Sequence, residues 1–564
     1  MSTKLRSLKI AAISAAWTCA LIAPGSTLAA PGTLSDSPLF LTNPVEPNIL
    51  FLLDDSGSMD WGTMTPENNG IINLGCPYYY TQPAPDNDFF TMVPNEAGLA
   101  GQGVAAPFGG VWRAWSSSYN RLYYDPNVTY TPWSGANNAG VPFGDVNPAA
   151  ALLDPYNPAA GNMNLTALQG YWSHYCQGGL GWFWINNFYM PHYYTWSDTN
   201  GDNIVDPTDA HVLVEIRPAT PVYFGRPNRT DCAARPACTY AEEIQNFANW
   251  FSYYRKREFV AKAAYGQVIG GASNTRMGLV TLHNNNNVNE SIASMNDDPF
   301  TGEKEELLDE LYQMAGAGGT PLRNAFDNAG RYLSCEGNAF FGSCPALSDA
   351  NGGECQQNFT IMMTDGFYNG GFGGLGNTDG DNDTPWDSGN AGPYGDGESN
   401  TLGDIAMEYY EDDIRPGTAN NLTPPPGGVD ENTAQHMVTY SVAFGVSGTV
   451  TAMPPNDTDP FAWPTPNTDP RRIDDLRHAA WNGRGDFYSA QDPTELITGL
   501  RGALTSIQSR IGSSASVAFN TGSLITNSEV YLALFNSERW NGDLLAFDLD
   551  PNTGAITSVP SWSA

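Results

Sequence analysis

The segment Asp54–Ser58 (DDSGS) places a carboxylate and two hydroxyl groups at alternate positions, directly after an apolar run. Hard divalent cations prefer oxygen ligands, and a turn at the end of a strand can aim alternate side chains at one point. Asp, Ser and Gly are also ordinary turn residues, so this segment alone is weak evidence. Two other segments strengthen it, because Thr320 precedes a predicted helix and Asp365 follows another apolar run. Together they predict a site for a divalent cation.

A second loop, Asp198–Asp209 (DTNGDNIVDPTD), has oxygen donors at positions one, three, five, nine and twelve. Position seven is Ile204, where a backbone carbonyl suffices as a calcium ligand. The glycine falls at position four and Asp replaces Glu at position twelve, which resembles dockerin-type calcium loops. A solvated acidic loop is the alternative. The spacing predicts a Ca²⁺ site formed by Asp198, Asn200, Asp202, Ile204, Asp206 and Asp209.

Two other motifs have simpler explanations. A third acidic cluster starts with a similar spacing and consists of Asp379, Asp381, Asp383 and Asp387. It then meets Pro385 and Trp386, so we prefer a solvated loop to a calcium site. The RGD tripeptide Arg484–Asp486 is bound by integrins when a loop displays it. Here it precedes an apparent strand, Phe487–Ser489, and chance is the preferred explanation.

The sequence shows no enzyme motif. It contains six His without HExxH spacing, and neither a GxSxG elbow nor a P-loop is present. We therefore predict a protein that is not an enzyme. Two alternatives remain open: a secreted metal-dependent hydrolase, and an extracellular scaffold that calcium stiffens and that binds no ligand.

Composition and the amino terminus predict an exported protein. The 564 residues include 60 Asp and Glu against 25 Lys and Arg, a net charge of −35, which argues against nucleic-acid binding. Residues 1–30 are predicted to be a signal peptide, with Lys4, Arg6 and Lys9 before an apolar stretch that is short for a membrane span. Residues 31–46 form a predicted linker. No later stretch reaches transmembrane length.

Export makes disulfide bonds plausible. Cys232 and Cys238 are predicted to form a local bridge, and two of Cys335, Cys344 and Cys355 can form another. With Cys76 and Cys176 the mature chain has seven cysteines, so an odd thiol remains after pairing.

The elements that position these side chains alternate between strands and helices. Apolar runs predict buried strands at Asn48–Leu53, Met277–Leu282, Phe359–Met363 and Met437–Phe444. Helical patterns lie between and after them: Ala241–Val268, Glu303–Met314, Pro321–Leu333, Leu402–Tyr410, Ile473–Ala480 and Pro493–Ile507. This alternation predicts an α/β fold with a doubly wound, mostly parallel sheet, which binds ligands beyond the carboxyl ends of its strands.

Two long insertions interrupt the pattern, at about residues 60–238 and 369–430. The first is crowded with Tyr and Trp, which form either a binding platform or, as we prefer, the core of an inserted subdomain. The alternating residues of Ser528–Leu549 predict strands, so the chain reaches the beginning of an all-β domain.

The three cation-site segments resemble the metal-ion-dependent adhesion site of von Willebrand factor A domains, which are Rossmann-like. The resemblance implies that Asp54, Ser56, Ser58, Thr320 and Asp365 hold the cation, usually Mg²⁺. It also implies an open metal position that a partner's carboxylate can fill.

The chain from Asn48 onward resembles the PilY (PilC/PilY) family of type IV pilus tip-associated proteins. The segments NILFLLDDSGSM, SYNRLYYDPNVTYTPW, MMTDGFYNG and ERWNGDLLAFDLD carry this resemblance. It implies a von Willebrand A-like domain over residues 47–510 and the start of a β-propeller over residues 511–564. It further implies a place at the pilus tip or cell surface, or in the periplasm or at the outer membrane during assembly. The implied roles are pilus biogenesis, twitching motility and attachment, with minor pilins and a host or abiotic surface ligand as partners.

Overall fold

The computed structural model describes residues 45–67, 111–175, 181–283, 288–336, 340–380, 392–425 and 429–513, followed by short strands. The predicted signal peptide, most of the predicted linker, Cys76 and Cys176 lie outside these residues, as do Asp381, Asp383 and Asp387. Residues 44–514 form one compact unit, and residues 515–564 belong to another. No helix in the described ranges is long and apolar enough to cross a membrane.

A six-stranded sheet forms the centre of the larger unit. Its strands are β1 (Asn48–Leu53), β2 (Arg276–Thr281), β3 (Glu290–Ser294), β4 (Asn358–Thr364), β5 (Met437–Phe444) and β6 (Arg484–Ala490). The spatial order is β3-β2-β1-β4-β5-β6, and only the β2–β3 pair is antiparallel. The predicted mostly parallel α/β sheet is confirmed, although β3 had not been predicted.

Seven α-helices accompany this sheet in the described residues: α1 (Tyr240–Tyr253), α2 (Arg257–Gly270), α3 (Gly302–Gln313), α4 (Leu322–Leu333), α5 (Leu402–Glu411), α6 (Asp469–Asn482) and α7 (Pro493–Ser513). Side chains of α1, α2, α3 and α7 share a core with Ile49, Phe51 and Leu53 of β1. Side chains of α4, α5 and α6 pack with Leu50 and Leu52, which point to the other face. The sheet is therefore covered on both faces, as its apolar strands require.

The prediction of one helix over residues 241–268 was wrong, because the chain leaves the helix between α1 and α2. Lys256 is extended, with φ −119° and ψ 156°. Because the helix is interrupted at Lys256, the side chains of Arg255 and Lys256 contact different parts of the protein. Arg255 donates to the carbonyl oxygens of Phe251 and Leu153, whereas Lys256 contacts Asp60. Helical periodicity alone does not register such a change of direction.

Aromatic residues of the first insertion pack into the core of the sheet. Trp133 is buried and stacks on Tyr312 of α3, with ring centroids 5.0 Å apart. It also contacts the ring of Phe259 in α2 edge-on at 5.4 Å. For the described aromatics this supports the core interpretation over the platform. Others that are buried in the same core are Trp112, Trp115, Tyr119, Tyr123, Tyr124, Tyr130, Tyr156, Tyr193 and Tyr194.

Short antiparallel pairs build the rest of the insertion. They are Ala151–Leu152 with Asn162–Met163, Leu168–Tyr175 with Gly181–Tyr189, His192–Ser197 with Ala210–Glu215, and Val222–Tyr223 with Cys238–Thr239. The predicted Cys232–Cys238 bridge is present. Cys335 bonds to Cys344, and Cys355 is an exposed free thiol.

The smaller unit contains a four-stranded antiparallel sheet. Its strands are Ala518–Phe519, Glu529–Asn536, Asn541–Asp548 and Trp562–Ser563, paired in chain order. These strands agree with the predicted β structure, and a propeller remains a prediction.

Candidate metal centre

The predicted cation residues lie where the strand order of the large sheet reverses. From β1 the chain proceeds outward to β2 and β3, then returns to place β4 on the other side of β1. Asp54 and Asp365 directly follow the carboxyl ends of the neighbouring strands β1 and β4. The backbone N–H of Asp54 donates to the carbonyl oxygen of Met363 at 3.1 Å. This switch point is where open α/β sheets bind ligands.

The Asp54–Ser58 turn gathers its oxygens toward Asp365. The N–H of Ser56 donates to Oδ1 of Asp54 at 2.8 Å, which closes the turn. The hydroxyl of Ser58 donates to Oδ1 of Asp365 at 2.8 Å and lies 3.0 Å from the Ser56 hydroxyl. Three of the five predicted ligand side chains are therefore in direct contact. Asp54, Ser56 and Asp365 are buried, whereas Ser58 is partly exposed.

The loop before α4 brings Thr320 to the same edge. The N–H of Gly57 donates to the carbonyl oxygen of Gly318 at 3.1 Å, so the two loops touch through their backbones. Gly318 has φ +82°, and a Cβ there would lie 2.9 Å from a ring nitrogen of His283. Only glycine suits that position. Thr320 is buried, and its backbone exchanges hydrogen bonds with Asn369.

Burial and a neighbouring carboxylate make the charged form of Asp54 unfavourable. Loss of solvent, and then the neighbouring charge of Asp365, raise the pKa of Asp54 to about 7. Arg257 is the cation in contact with Asp365, with Nη1 2.7 Å from Oδ2. Asp55 accepts a hydrogen bond from Nδ1 of His283 at 2.7 Å. A divalent cation would offset the repulsion between Asp54 and Asp365.

The donor set fits a hard cation such as Mg²⁺ because all five side chains supply oxygen. In the described ranges no group of three or more His, Cys, Asp or Glu side chains is placed to hold a metal ion by itself. At this site the hydroxyls of Ser56, Ser58 and Thr320 would have to contribute beside two carboxylates. That composition suits an ion that retains water or an exchangeable ligand.

Sequence reasoning missed three consecutive residues at the start of α2 that contact all three site loops. Lys256 pairs with Asp60, at 2.5 Å. Arg257 pairs with Asp365, and the Glu258 carboxylate accepts the N–H of Gly316 at 2.9 Å. The available signal was a charged run, RKRE, at the start of an otherwise apolar helix. Such runs are more often solvated, so its burial could not be read from the pattern.

The predicted calcium loop is the connection of a β-hairpin rather than a link between helices. Ser197 pairs with Ala210, so Asp198–Asp209 spans the whole turn. Asp198 accepts backbone N–H groups of Asn200, Gly201 and Asn203. The Asn200 amide nitrogen lies 3.0 Å from a carboxylate oxygen of Asp202 and 3.2 Å from one of Asp206.

The remaining loop positions differ in exposure. Asp209 is buried and accepts the indole N–H of Trp196 at 2.8 Å, whereas the Ile204 side chain is exposed. The loop thus has a defined curled form, and Ca²⁺ binding there remains a prediction.

One described residue in each of the other two motifs is buried. Asp379 has no solvent exposure, and burial followed by the charges of Asp404 and Asp396 raises its pKa to about 8. The solvated-loop interpretation was therefore wrong for Asp379. Arg484 of the RGD tripeptide is buried, with its guanidinium 4.2 and 4.0 Å from the ring centroids of Tyr394 and Tyr410. It is not displayed on a loop, which agrees with the chance interpretation.

An α/β protein with a candidate cation site at the switch point of its sheet is thus the class that fold and site define. Similar proteins of known family indicate more closely what kind of protein this is. The type IV pilus biogenesis factor PilY1 of Pseudomonas aeruginosa strain UCBPP-PA14 is 28% identical over 96% of this chain. The PilY1 of strain PAK is 26% identical over 96%. A PilY1 homolog from Xylella fastidiosa strain Temecula1 is 36% identical over 80 residues.

The chain is thus similar to PilY1 proteins over most of its length, in agreement with the resemblance to the PilY family that its motifs indicate. The chain spans 45% and 46% of the length of the two Pseudomonas proteins. No family model and no solved structure matches it.

Proposed function

We propose that the chain is a secreted, cation-dependent adhesion and assembly factor of the type IV pilus. Its relatives are named type IV pilus biogenesis factors, which supports the pilus role. The contact of Ser58 with Asp365, across 307 residues of sequence, carries the adhesion part of the proposal. Forming that contact requires the neighbouring strands β1 and β4 to be paired, so the site is a product of the fold rather than of a local turn.

The large unit is proposed to be a von Willebrand A-like domain. Its strand order, with an antiparallel β3 at the edge, and its oxygen-donor site at the switch point support this assignment. The β sheet of the smaller unit is proposed to begin a propeller. The Asp198–Asp209 loop is proposed to bind Ca²⁺, which would stiffen the hairpin that carries it.

At the adhesion site, Asp54, Ser56, Ser58, Thr320 and Asp365 would hold Mg²⁺ or another divalent cation. The cation supplies a Lewis-acidic position that a partner's carboxylate can fill. The chain's own residues do the positioning: Thr364 donates its hydroxyl to Asp54 at 2.5 Å, and Arg257 fixes Asp365. The partner proposed is a minor pilin at the pilus tip, with a host or abiotic surface as a further ligand.

Replacing Asp54 tests the proposal. The Asp54→Ala chain should lose at least tenfold in Mg²⁺ affinity by calorimetry, with an unchanged circular-dichroism spectrum. In cells it should reduce surface piliation, twitching motility and attachment. Asp486→Ala, which changes an exposed carboxylate outside the site, is the matched control and should change neither. Unchanged Mg²⁺ affinity in Asp54→Ala would refute the metal assignment, and unchanged motility would refute the pilus role.

A further inference from the structure

Arg257 occupies a buried position between the first insertion and the candidate metal centre. It begins α2, and its guanidinium is 5.2 Å from the ring centroid of Trp61. Nε and Nη2 donate to the carbonyl oxygen of Thr63 at 3.0 and 2.8 Å. Nη1 donates to Oδ2 of Asp365 at 2.7 Å and to its carbonyl oxygen at 3.2 Å. These bonds fix the guanidinium on two sides.

Both carboxylate oxygens of Asp365 are engaged as a result. Oδ1 accepts the Ser58 hydroxyl, and Oδ2 accepts Arg257. The side chains of Asp365 and Arg257 are 0% and 4% exposed, so water screens this pair little. A cation that enters the site meets an Asp365 whose charge is already largely balanced.

The charges of three buried groups at the site can be summed. Asp54 and Asp365 contribute −2 and Arg257 contributes +1, so a divalent cation brings these groups to +1. Without the guanidinium the same loaded groups would be neutral. In a buried setting a difference of one charge at a few ångströms changes ion affinity by tenfold or more.

We propose that Arg257 is a specificity-determining residue: by offsetting the charge of Asp365, it makes the loaded site one charge more positive and so selects an anionic partner group. This inference rests on the proposed function, because it concerns the same site. It assigns to Arg257 two opposite effects, weaker binding of the cation and stronger binding of the anion.

The test uses the full mature chain at pH 8, with Mn²⁺ as the cation and acetate as the carboxylate probe. Calorimetry measures Mn²⁺ affinity, and water-proton relaxation of the loaded protein reports acetate at the metal. Arg257→Gln should bind Mn²⁺ roughly tenfold more tightly and acetate at least threefold more weakly. Arg257→Lys keeps the charge and should stay close to wild type in both.

Arg229→Gln is the matched control, because Arg229 is also a buried guanidinium paired with a carboxylate, that of Glu243. It should lower thermal stability without shifting either affinity. If Arg257→Gln does not fold, the same two affinities are measured for Asp365→Asn instead. It should show the inverse result, with weaker Mn²⁺ and stronger acetate binding.

The outcomes separate the two proposals. Opposite shifts in Arg257→Gln support the assignment. Loss of both affinities, or equal behaviour of the Gln and Lys variants, overturns it in favour of a structural role. A folded wild-type chain that binds no Mn²⁺ refutes the proposed metal site itself.

Discussion

Asp54 combines complete burial with a nearby second carboxylate, and both raise the free energy of its charged form. Hydrogen bonds from Ser56 and Thr364 act in the opposite direction and do not cancel the effect. At neutral pH Asp54 is consequently divided between its protonated and charged forms. A proton and a metal ion would then compete for the same oxygens.

We expect Mn²⁺ affinity to rise with pH, by up to about tenfold per unit below the Asp54 pKa of about 7, and to level off above it. Calorimetry between pH 5.5 and pH 8.5, our chosen range, measures it. Asp54→Asn cannot deprotonate, so its residual affinity should lack this dependence. An affinity in the wild-type chain that ignores pH would contradict the role of Asp54.

The raised pKa of Asp54 also determines how the stability of the protein changes with pH. In the folded state Asp54 keeps its proton up to about pH 7, whereas in the unfolded chain it releases the proton near the usual aspartate pKa of 3.8. The metal-free protein should therefore lose stability relative to Asp54→Asn as the pH rises from about 4 to about 7. Thermal unfolding of both proteins across that window checks it, and Mn²⁺ should restore stability only to the wild type.

At the scale of elements, helix packing depends on two glycines that admit large rings. Gly330 in α4 lies against the ring of Tyr409 in α5, and an added Cβ would come within 2.2 Å of it. A Cβ added at Gly266 in α2 would likewise clash with the hydroxyl of Tyr312 in α3. Residues without a side chain thus set how closely these helices approach.

Gly330→Ala should destabilise the protein by about 2–3 kcal/mol, because the steric clash outweighs the gain in helix propensity. Gly417→Ala is the matched control, since nothing lies within 4 Å of a Cβ built there. Urea unfolding measures both variants. Equal stability of Gly330→Ala and wild type would show that α4 and α5 are not held this closely.

The strands could be predicted from the sequence where burial on both faces of the sheet determined their composition. Strands β1 and β5 agree with their apolar runs to the residue, because a strand buried on both faces has few polar positions. Strand β3 (ESIAS) is at the edge and lacks such a run. The break before α2 depends on where Lys256 and Arg257 find partners, which local periodicity does not contain.

The candidate ligand residues could be selected from the sequence, whereas the residues that support them could not. Asp54, Ser56, Ser58 and Asp365 carry a recognisable spacing and follow recognisable strands. Arg257 is separated from Asp365 by 108 residues, and only the folded chain brings them together. The same limit applied to Asp379, whose Asp/Gly-rich surroundings suggested a solvated loop although it is buried.

At the scale of the whole unit, the first insertion and the sheet share one hydrophobic core. Tyr123 and Trp133 of the insertion belong to the same buried cluster as Phe51 of β1 and Tyr440 of β5. An insertion with its own separate core could unfold alone. A shared core couples the two parts energetically.

We therefore expect the large unit to unfold in one transition. Fluorescence, which is weighted toward the Trp residues of the insertion, and far-ultraviolet circular dichroism, which reports the helices around the sheet, should give the same urea midpoint. Oxidised protein should be used, so that the Cys232–Cys238 bridge is intact. Two midpoints separated beyond error would show that the insertion is an independent folding unit.

The 307 residues that separate Ser58 from Asp365 also set an order of events in time. Ribosomes add about 5–20 residues per second, so Asp365 emerges roughly 15–60 seconds after Ser58. Between these moments the whole first insertion is synthesised. The arrangement of side chains at the site forms only after α2 and β4 have packed with β1. A cation bound at the proposed site would then mark a chain whose interior is already assembled.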